Sequence, residues 1–319
     1  MKKILLFSLC LLLTNFIGQN LFAGKHRVNN NPELNAEFTD IQTAIDAASA
    51  GDTIYIEGST LPYESDSLII NIQLVIFGPG YFLEENDSTT VDKLNAIVSS
   101  FIVFNAGSSG SILSGLDIQG FGSEIQINAD NIQVSRNHLV THIEIVGNVA
   151  QTLIAQNYWD CCGIFMLTGE NAATVFILNN IFTIDTGPIY ISEFGSGIIE
   201  NNVFLFSSEL SVSNSTIRNN IFSGGVYVGN NTVSNNFEYI TLEDFFLMTG
   251  STDGQYQLKP GSPAIGAGYD GTDCGAFGGA QPYVLSGLPP VPHIYEAYID
   301  VIGTNEDGLQ VQIKAKTQN

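Results

Sequence analysis

The side chains best suited to bind a ligand are aromatic and polar residues at alternate positions of short apolar segments. Phe165, Tyr190 and Tyr227 occupy such positions in three segments, and His142 and Glu144 occupy them in an earlier one. Aromatic rings stack against sugar rings, while a tyrosine hydroxyl remains available for hydrogen bonds. These five residues predict a binding surface for an extended glycan. The same pattern also fits aromatic residues that cover an ordinary sheet or lie beneath the C-terminal tail.

The charge balance of the chain excludes some classes of partner. Acidic residues outnumber basic ones by 32 to 10, which gives a net charge of −22. Such a chain repels nucleic acid and anionic lipid, so we expect no nucleic-acid partner. Only 13% of the residues are charged and glycine is abundant. That balance is typical of a turn-rich β protein and not of a disordered acidic chain.

An apolar β-branched residue followed three positions later by an asparagine recurs along the middle of the chain. The asparagines, at intervals of 16 to 23 residues, are Asn137, Asn157, Asn180, Asn202, Asn220 and Asn236. Repeats near twenty residues with strand-like content indicate a solenoid, in which each coil buries its apolar face against the next. Asparagine tolerates a left-handed corner, and its amide can bond to the equivalent amide one coil away. The column therefore predicts a structural asparagine ladder.

A second short segment follows each of these corners and positions the candidate binding residues. Its apolar residues alternate with the two-residue period of a strand that is buried on one face. Aligned across the coils, the outward positions read Gln126, Glu144, Phe165, Tyr190, Ser211 and Tyr227. The sequence thus predicts an all-β fold, a single-stranded parallel β-helix. We expect it to be right-handed, because crossovers between parallel strands almost always are.

The two ends of the chain predict export, a cap and a tail. Residues 1–23 have the basic start, apolar run and small cleavage-site residue of a signal peptide, so we expect a secreted or cell-surface protein with no membrane insertion after cleavage. The β-helix is expected over 24–286, with coils at about 53–239. Thr39 and Gln42 predict a capping box for an N-terminal cap helix at 38–51. A closing segment at 240–286 and a linker with a β-hairpin tail at 287–319 follow.

Three stretches resemble known proteins. "FTDIQTAIDAASAGDTIYIEG" resembles the N-terminal cap of pectate-lyase-like right-handed β-helix proteins. "LVIFGPGYFL" and "GSPAIGAGYDGTDCGAFGG" are similar to stretches of secreted β-helix repeat proteins of Bacteroidetes-type bacteria, most of them without known activity. The resemblance covers nearly the whole chain after the signal and implies the fold. It implies no single function, since this fold carries lyases, hydrolases, tailspikes and adhesins.

Catalytic residues of those enzymes have no clear counterpart. Lyases of the superfamily hold Ca²⁺ against a uronate and use Arg or Lys as the base, and within the coils only Lys93, Arg136 and Arg218 are available. Arg218 aligns with Glu200 on the neighbouring coil, which favours an ion pair. The hydrolase signatures Asn-Thr-Asp, Asp-Asp, His-Gly and Arg-x-Lys are missing. We therefore assign no catalytic residue, no metal ligand and no cofactor.

Three functional hypotheses follow from the sequence. The first is an extracellular or cell-surface carbohydrate-binding or adhesin-like β-helix. The second is a Ca²⁺-dependent polysaccharide lyase that acts on acidic glycans, and only this hypothesis requires Ca²⁺. The third is a purely structural surface rod.

Overall fold

The computed structural model describes residues 23–120, 122–166, 173–183, 189–192, 195–205, 208–212, 214–227, 231–300 and 308–317. The predicted signal peptide therefore lies, except for Ala23, outside the described residues. Within them the chain is an all-β, right-handed parallel β-helix of about seven turns with a short antiparallel hairpin near its C-terminus. This is the fold class that the sequence predicts.

One long side of the β-helix is a continuous ten-stranded parallel sheet, which we call sheet A. Its strands, in spatial order, are Lys25–Val28, Thr53–Ile56, Val75–Phe77, Ile112–Ser114, Gln133–Ser135, Thr152–Ala155, Thr174–Leu178, Ser196–Glu200, Ser215–Arg218 and Thr232–Ser234. Side chains alternate between the interior and the outer side, as the strand period requires. Val175 and Ile177 are fully buried on either side of the half-buried Phe176.

The other two sides form one sheet with two rows of strands that share the long strand Ile97–Phe104. Row B1 contains the two-residue strands Asp117–Ile118, His138–Leu139, Tyr158–Trp159, Ile181–Phe182, Val203–Phe204 and Ile221–Phe222. Row B2 contains Tyr63–Ile70, Glu124–Ile127, Ile143–Ile145, Gly163–Met166, Ile189–Ser192, Ser208–Ser211 and Val226–Tyr227. The C-terminal hairpin pairs Pro292–Ile299 with Val311–Thr317.

Columns of like side chains fill the interior of the coils. The fully buried rings of Phe182, Phe204 and Phe222 stack with centroids 4.7 and 4.8 Å apart and planes within 5° of parallel. Trp159 continues this column at 5.2 Å from Phe182. Stacking one coil on the next thus buries each ring against an equivalent ring, which adds aromatic contact energy to the burial of apolar area.

The six predicted asparagines form a continuous ladder between sheet A and row B1. The side-chain carbonyl of each accepts the backbone N–H one coil earlier, at 2.9–3.0 Å from Asn157 through Asn236. Each amide nitrogen from Asn137 through Asn220 also donates to the next side-chain carbonyl at 3.0–3.2 Å. The ladder begins at Asn137, which accepts the N–H of Leu116. Buried polar groups that bond in this way cost little to bury.

The prediction that the ladder asparagines turn the corner is wrong. The left-handed backbone belongs to the residue before each one, and these residues, with φ between 54° and 59°, are Arg136, Gln156, Asn179, Asn201, Asn219 and Asn235. We call them the corner column. The residue before each ladder asparagine adopts the left-handed conformation that turns the chain. The asparagine side chain therefore points in the same direction in every coil and can bond to its equivalent in the next one.

The predicted closing segment takes a different path. Residues 264–290, which we call the strap, run back along the corner column toward the N-terminal coils. Hydrogen bonds along its path link Asn235 to the Ala267 carbonyl, Asn179 to Ala276, Gln156 to Pro282 and Arg136 to Leu288. The strap therefore lies along the side of the rod, and Val233 in the last strand of sheet A stays 43% exposed.

The cap helix is shorter than predicted and is capped by a different residue. It spans Ile41–Ala47, and the Asp40 side chain accepts the Thr43 N–H at 2.8 Å, in place of the predicted capping box from Thr39. Gln42 instead accepts the N–H of Ile69 at 2.7 Å, which ties the cap to row B2. A second helix spans Leu242–Phe245, and 3₁₀ turns lie at Pro32–Leu34, Ala106–Ser108, Gly254–Tyr256, Tyr269–Gly271 and Leu285–Gly287. In the described part of the chain, no helix has the length and apolar character to cross a membrane.

Candidate functional site

The predicted binding residues lie on the outward side of row B2. In strand Ile143–Ile145 the two isoleucines are fully buried, and His142 and Glu144 occupy the alternate, outward positions. Glu124 and Gln126 alternate with buried isoleucines of the preceding strand in the same way. Because parallel pairing holds these strands in fixed register, the outward side chains of adjacent coils lie side by side.

Strand pairing corrects the alignment predicted for these positions. Gln126, Glu144 and Phe165 pair with one another across three strands, as predicted. Tyr190 pairs with Gly163 and not with Phe165, because its strand is displaced by two residues. A shift of two residues keeps a side chain on the same side of the sheet but moves it along the strand.

The outward positions therefore form two columns, which together we call the outer face. The first column contains Phe101, Glu124, His142, Gly163, Tyr190, Glu209 and Tyr227, and the second contains Val103, Gln126, Glu144, Phe165, Ser192 and Ser211. For Phe165, Tyr190 and Tyr227 the structure describes the strand backbone, so their positions in the two columns follow from strand pairing alone. Glu209 pairs with Tyr190 on one side and with Tyr227 on the other, so it lies between the two tyrosines in the first column. The sequence alignment placed Ser211 there and missed Glu209, but Ser211 pairs with Ser192 in the second column.

A hydrogen-bonded cluster occupies the two columns at Glu124, Gln126, His142 and Glu144. The Gln126 amide donates to Glu144 Oε2 at 3.0 Å, and His142 Nε2 lies 3.2 Å from Glu124 Oε2. Burial, and a hydrogen bond and charge repulsion from Glu144, raise the pKa of Glu124 to about 7. Burial lowers the pKa of His142, and the negative charge of Glu144 only partly opposes this shift. At pH 7 Glu124 is therefore about half protonated, and the imidazole of His142 beside it is mostly neutral.

This arrangement suits the binding of hydroxyl groups better than hydrolysis. A protonated carboxyl, an amide and a neutral imidazole offer both donors and acceptors, as a sugar hydroxyl requires. Glycoside hydrolases hold their two carboxyl groups roughly 5–9.5 Å apart to admit a sugar or a water. The carboxyl of Glu144 lies close enough to Glu124 to help raise its pKa, and it accepts a hydrogen bond from Gln126. Glu124 escaped sequence reasoning although it holds in "EIQINA" the place that His142 holds in "HIEIVG".

A second ionisable cluster, also missed from the sequence, lies on row B1. His138 Nδ1 is 2.8 Å from Asp117 Oδ1, and its Nε2 is 2.9 Å from Asp160 Oδ2. The His138 and Asp117 side chains are buried, whereas that of Asp160 is 41% exposed. Burial opposes the imidazolium charge, but the hydrogen bonds to Asp117 and Asp160 outweigh it and raise the pKa of His138 to about 9.

The His138 cluster is built to hold coils together. At neutral pH both ring nitrogens carry protons that point at carboxylates, so the imidazolium can neither accept a proton nor bind a metal ion. The rings of Tyr81, Phe82 and Tyr158 lie 5.1–5.8 Å from the imidazole and cover it. The cluster therefore joins three successive coils beneath an aromatic layer.

The three basic residues considered for lyase chemistry make local contacts. Arg218 Nη2 lies 3.0 Å from Glu200 Oε2, the inter-coil pairing that the alignment predicts. Arg136 donates to Gln156 at 2.8 Å and to the strap at Leu288, and Lys93 donates to Thr89. Across the described ranges, no three or more His, Cys, Asp or Glu side chains are grouped so as to hold a metal ion.

Comparisons with known proteins show a likeness among solved structures but not among protein families or curated proteins. Neither a protein-family model nor a curated protein matches the chain. The chain is similar to the crystal structure of pectate lyase Pel9A, at 12% sequence identity and a TM-score of 0.40. The likeness covers 80% of this chain and 97% of that one.

Proposed function

We propose that the protein is an exported, carbohydrate-binding or adhesin-like β-helix that holds an extended glycan along its outer face. The observation that carries this proposal is the cluster of Glu124, Gln126, His142 and Glu144, which offers donors and acceptors on a rigid parallel sheet. Tyr190 and Tyr227 continue the first column along the same rod. A polymer lying along the rod axis would meet polar and aromatic positions in turn.

A rigid outer face favours glycan binding for an energetic reason. Strands held by neighbours on both sides lose little conformational freedom when a ligand binds, so more of the contact energy appears as affinity. Stacking of a sugar on an aromatic ring adds apolar contact without a charge. The net charge of −22 disfavours strongly anionic polymers, which makes glycans of low charge the better ligands.

The test is glycan-array binding by the mature protein, with and without Ca²⁺. Wild type is compared with the Tyr190→Ala/Tyr227→Ala double variant and with His142→Ala. Phe176→Ala is the matched control, because Phe176 is an aromatic residue on the outer side of sheet A. We expect Ca²⁺-independent binding that both outer-face variants weaken by about tenfold and the control leaves unchanged.

The other outcomes separate the competing functions. Binding that requires Ca²⁺ and survives both outer-face variants would support the lyase hypothesis, which an assay for unsaturated uronate products would then examine. No binding to any glycan would overturn the proposal and favour the structural rod.

Export is tested separately. The basic residues Lys2 and Lys3, the apolar run after them and the small Ala23 support cleavage before Gly24. Mass spectrometry of the protein recovered from the medium or the cell surface should give a chain that starts at Gly24. An uncleaved chain retained inside the cell would contradict export.

A further inference from the structure

The C-terminal end of the β-helix is open at sheet A. The last strand, Thr232–Ser234, pairs with Ser215–Arg218 on one side, and no further strand of the described chain pairs with its other side. Val233 continues the interior column that contains Ile217, yet Val233 is 43% exposed whereas Ile217 is fully buried. At the opposite end, the cap helix packs its buried side chains against the interior. Residues 231–235, which we call the open edge, therefore expose a strand edge together with the core behind it.

The chain that follows the last coil covers another part of this end. Phe237 pairs with Ile221 beyond the last strand of row B1, and its carbonyl accepts the N–H of Phe222 at 2.8 Å. Phe222 is fully buried, unlike Val233. The cover at row B1 thus leaves sheet A uncovered. The exposed residues of the open edge are Thr232, Val233 and Asn235.

The backbone of the open edge presents a donor and an acceptor to a further strand. The Ser234 carbonyl accepts the Asn219 N–H at 3.3 Å, so it points back to the preceding coil. Because successive residues of a strand direct their backbone groups to alternate sides, the N–H and C=O of Val233 point to the free side. Natural sheets protect such an edge with charged residues or proline, and residues 231–235 contain neither.

The sequence of the open edge has the same residue types in both directions. It is "NTVSN", with Val233 at the centre, hydroxyl residues on both sides of it and asparagines outside them. Antiparallel pairing with a second copy about a two-fold axis at Val233 therefore places like residues opposite each other. Val233 and its equivalent then exchange both backbone hydrogen bonds, as a hydrogen-bonded antiparallel pair does. Thr232 faces Ser234 of the second copy, and two such hydroxyls can bond across strands.

The distribution of charge also favours a second copy of this chain as the partner. No residue between Arg218 and Glu238 is charged, although the chain has a net charge of −22. Two such acidic chains repel each other over most of their surfaces. They can approach most easily at an uncharged end. A basic partner protein, in contrast, is attracted to the acidic parts of the surface.

We propose that two copies of the chain join end to end at the open edge through antiparallel pairing of Thr232–Ser234. The ten strands of sheet A in each copy then form one continuous sheet, and the two Val233 side chains cover each other. A two-fold contact uses the same surface on both copies, so it gives a closed dimer and no filament. This dimer does not depend on whether the outer face binds a glycan.

Sedimentation equilibrium of the full mature chain over a range of protein concentrations is the first test. Because only three residues of each strand pair, we expect a weak dimer with a dissociation constant of about 10–100 μM. Val233→Lys adds a charge to the edge, and Val233→Pro removes an N–H that points to the second copy and to no strand of its own chain. Each should raise the dissociation constant at least about tenfold. Ile313→Lys, at an apolar residue of the C-terminal hairpin that is 54% exposed, is the matched control and should change it less than about twofold.

Disulfide cross-linking tests the register of the contact. Opposite residues of a hydrogen-bonded antiparallel pair have Cα atoms about 5.5 Å apart. This distance lies within the ~4.4–6.8 Å that a disulfide spans. Oxidation with diamide should therefore cross-link Val233→Cys to its own copy but not Thr232→Cys, because Thr232 lies opposite Ser234. Wild type is the control for cross-links through Cys161, Cys162 and Cys274.

Three results would each overturn the proposal. The first is a monomer at every concentration. The second is a dimer that Ile313→Lys weakens and the Val233 variants do not, which would place the contact at the hairpin. The third is cross-linking of Thr232→Cys as efficient as that of Val233→Cys, which would mean a different register. Circular dichroism of each variant establishes that the comparison is made between folded chains.

Discussion

Replacing His138 by glutamine should remove a pH-dependent part of the stability of the β-helix. The pKa of His138 is about 9 in the folded chain against 6.5 for an unperturbed histidine, so folding strengthens proton binding. A difference of this size corresponds to about 3 kcal/mol at most. His138 is only 7% exposed, so solvent screening reduces the figure little. Glutamine can donate to one carboxylate but carries no titrating proton.

The sign of the effect follows from the raised pKa. Below pH 6.5 both the folded and the unfolded chain hold the proton, and the His138 contribution is fully present. As pH rises toward 9 the unfolded chain releases its proton first, and the contribution is lost by the time the folded His138 titrates. The difference in unfolding free energy between wild type and His138→Gln should therefore shrink by about 3 kcal/mol across this interval.

Thermal unfolding followed by circular dichroism from pH 5 to pH 10 measures the effect. At about 2 °C per kcal/mol for a chain of this size, the midpoints of the two proteins should converge by about 6 °C as pH rises. His142→Gln is the matched control. The pKa of His142 is lowered in the folded chain, so its contribution to the unfolding free energy is present above pH 6.5 and is lost as pH falls. The difference in midpoint between wild type and His142→Gln should therefore change with pH only below pH 6.5.

Parallel midpoint curves for wild type and His138→Gln between pH 6.5 and 9 would refute the reasoning. They would mean that His138 is not a charged link between Asp117 and Asp160 in the folded chain. A convergence on the acid side would refute it equally, because it would require a neutral histidine at this position.

Three further predictions concern the same coils. Glu124→Gln should stabilise the chain by about 1 kcal/mol at pH 8 but not at pH 5, and thermal melts at both pH values test this. The pKa of Glu124 is about 7 in the folded chain against 4.5 in the unfolded chain, so the wild type loses stability as pH rises above 4.5. Partial exposure of the carboxyl keeps the effect small. Asn180→Ala should cost about 3 kcal/mol in urea unfolding, because the Asn180 amide donates three hydrogen bonds, two of them fully buried. A cost below about 1 kcal/mol would contradict the ladder. Phe204→Ala should cost about 3–5 kcal/mol by the same measurement, and the half-buried Phe176→Ala clearly less.

The repeat could be predicted from the sequence because the coils use the same residue types at the same interior positions. Each ladder asparagine stands three residues after a β-branched residue, and that spacing is independent of the loops. The outward register was predictable only where the segments admit a single alignment. For Tyr190, setting Ile164 beside Ile189 or beside Ile191 buries apolar residues equally well. The two alignments differ by two residues, so hydrophobic pattern alone cannot separate them.

The His138 cluster could not be predicted because its partners become neighbours only through stacking. Asp117 lies 21 residues before His138 and Asp160 lies 22 residues after it. Asp117 and His138 each begin a two-residue strand. The equivalent positions in later coils are apolar, among them Ile181 and Val203. A pattern dominated by apolar residues therefore concealed the charged members. Aligning Leu116 with the ladder asparagines, and then the residue that follows each of them, would have placed Asp117 and His138 in one column.

The strap determines which sides of the rod are available to ligands. Along row B1 the outward residues Ile181, Val203 and Ile221 are apolar, and they are buried in one cluster with residues of the strap. Along row B2 the outward residues Glu124 and His142 are polar, and their side chains keep part of their surface exposed. A solenoid side that is apolar outside needs a cover, whereas a polar and aromatic side can face a partner directly. Deleting the strap should therefore expose row B1, yet leave the strand pairing beneath the outer face in place.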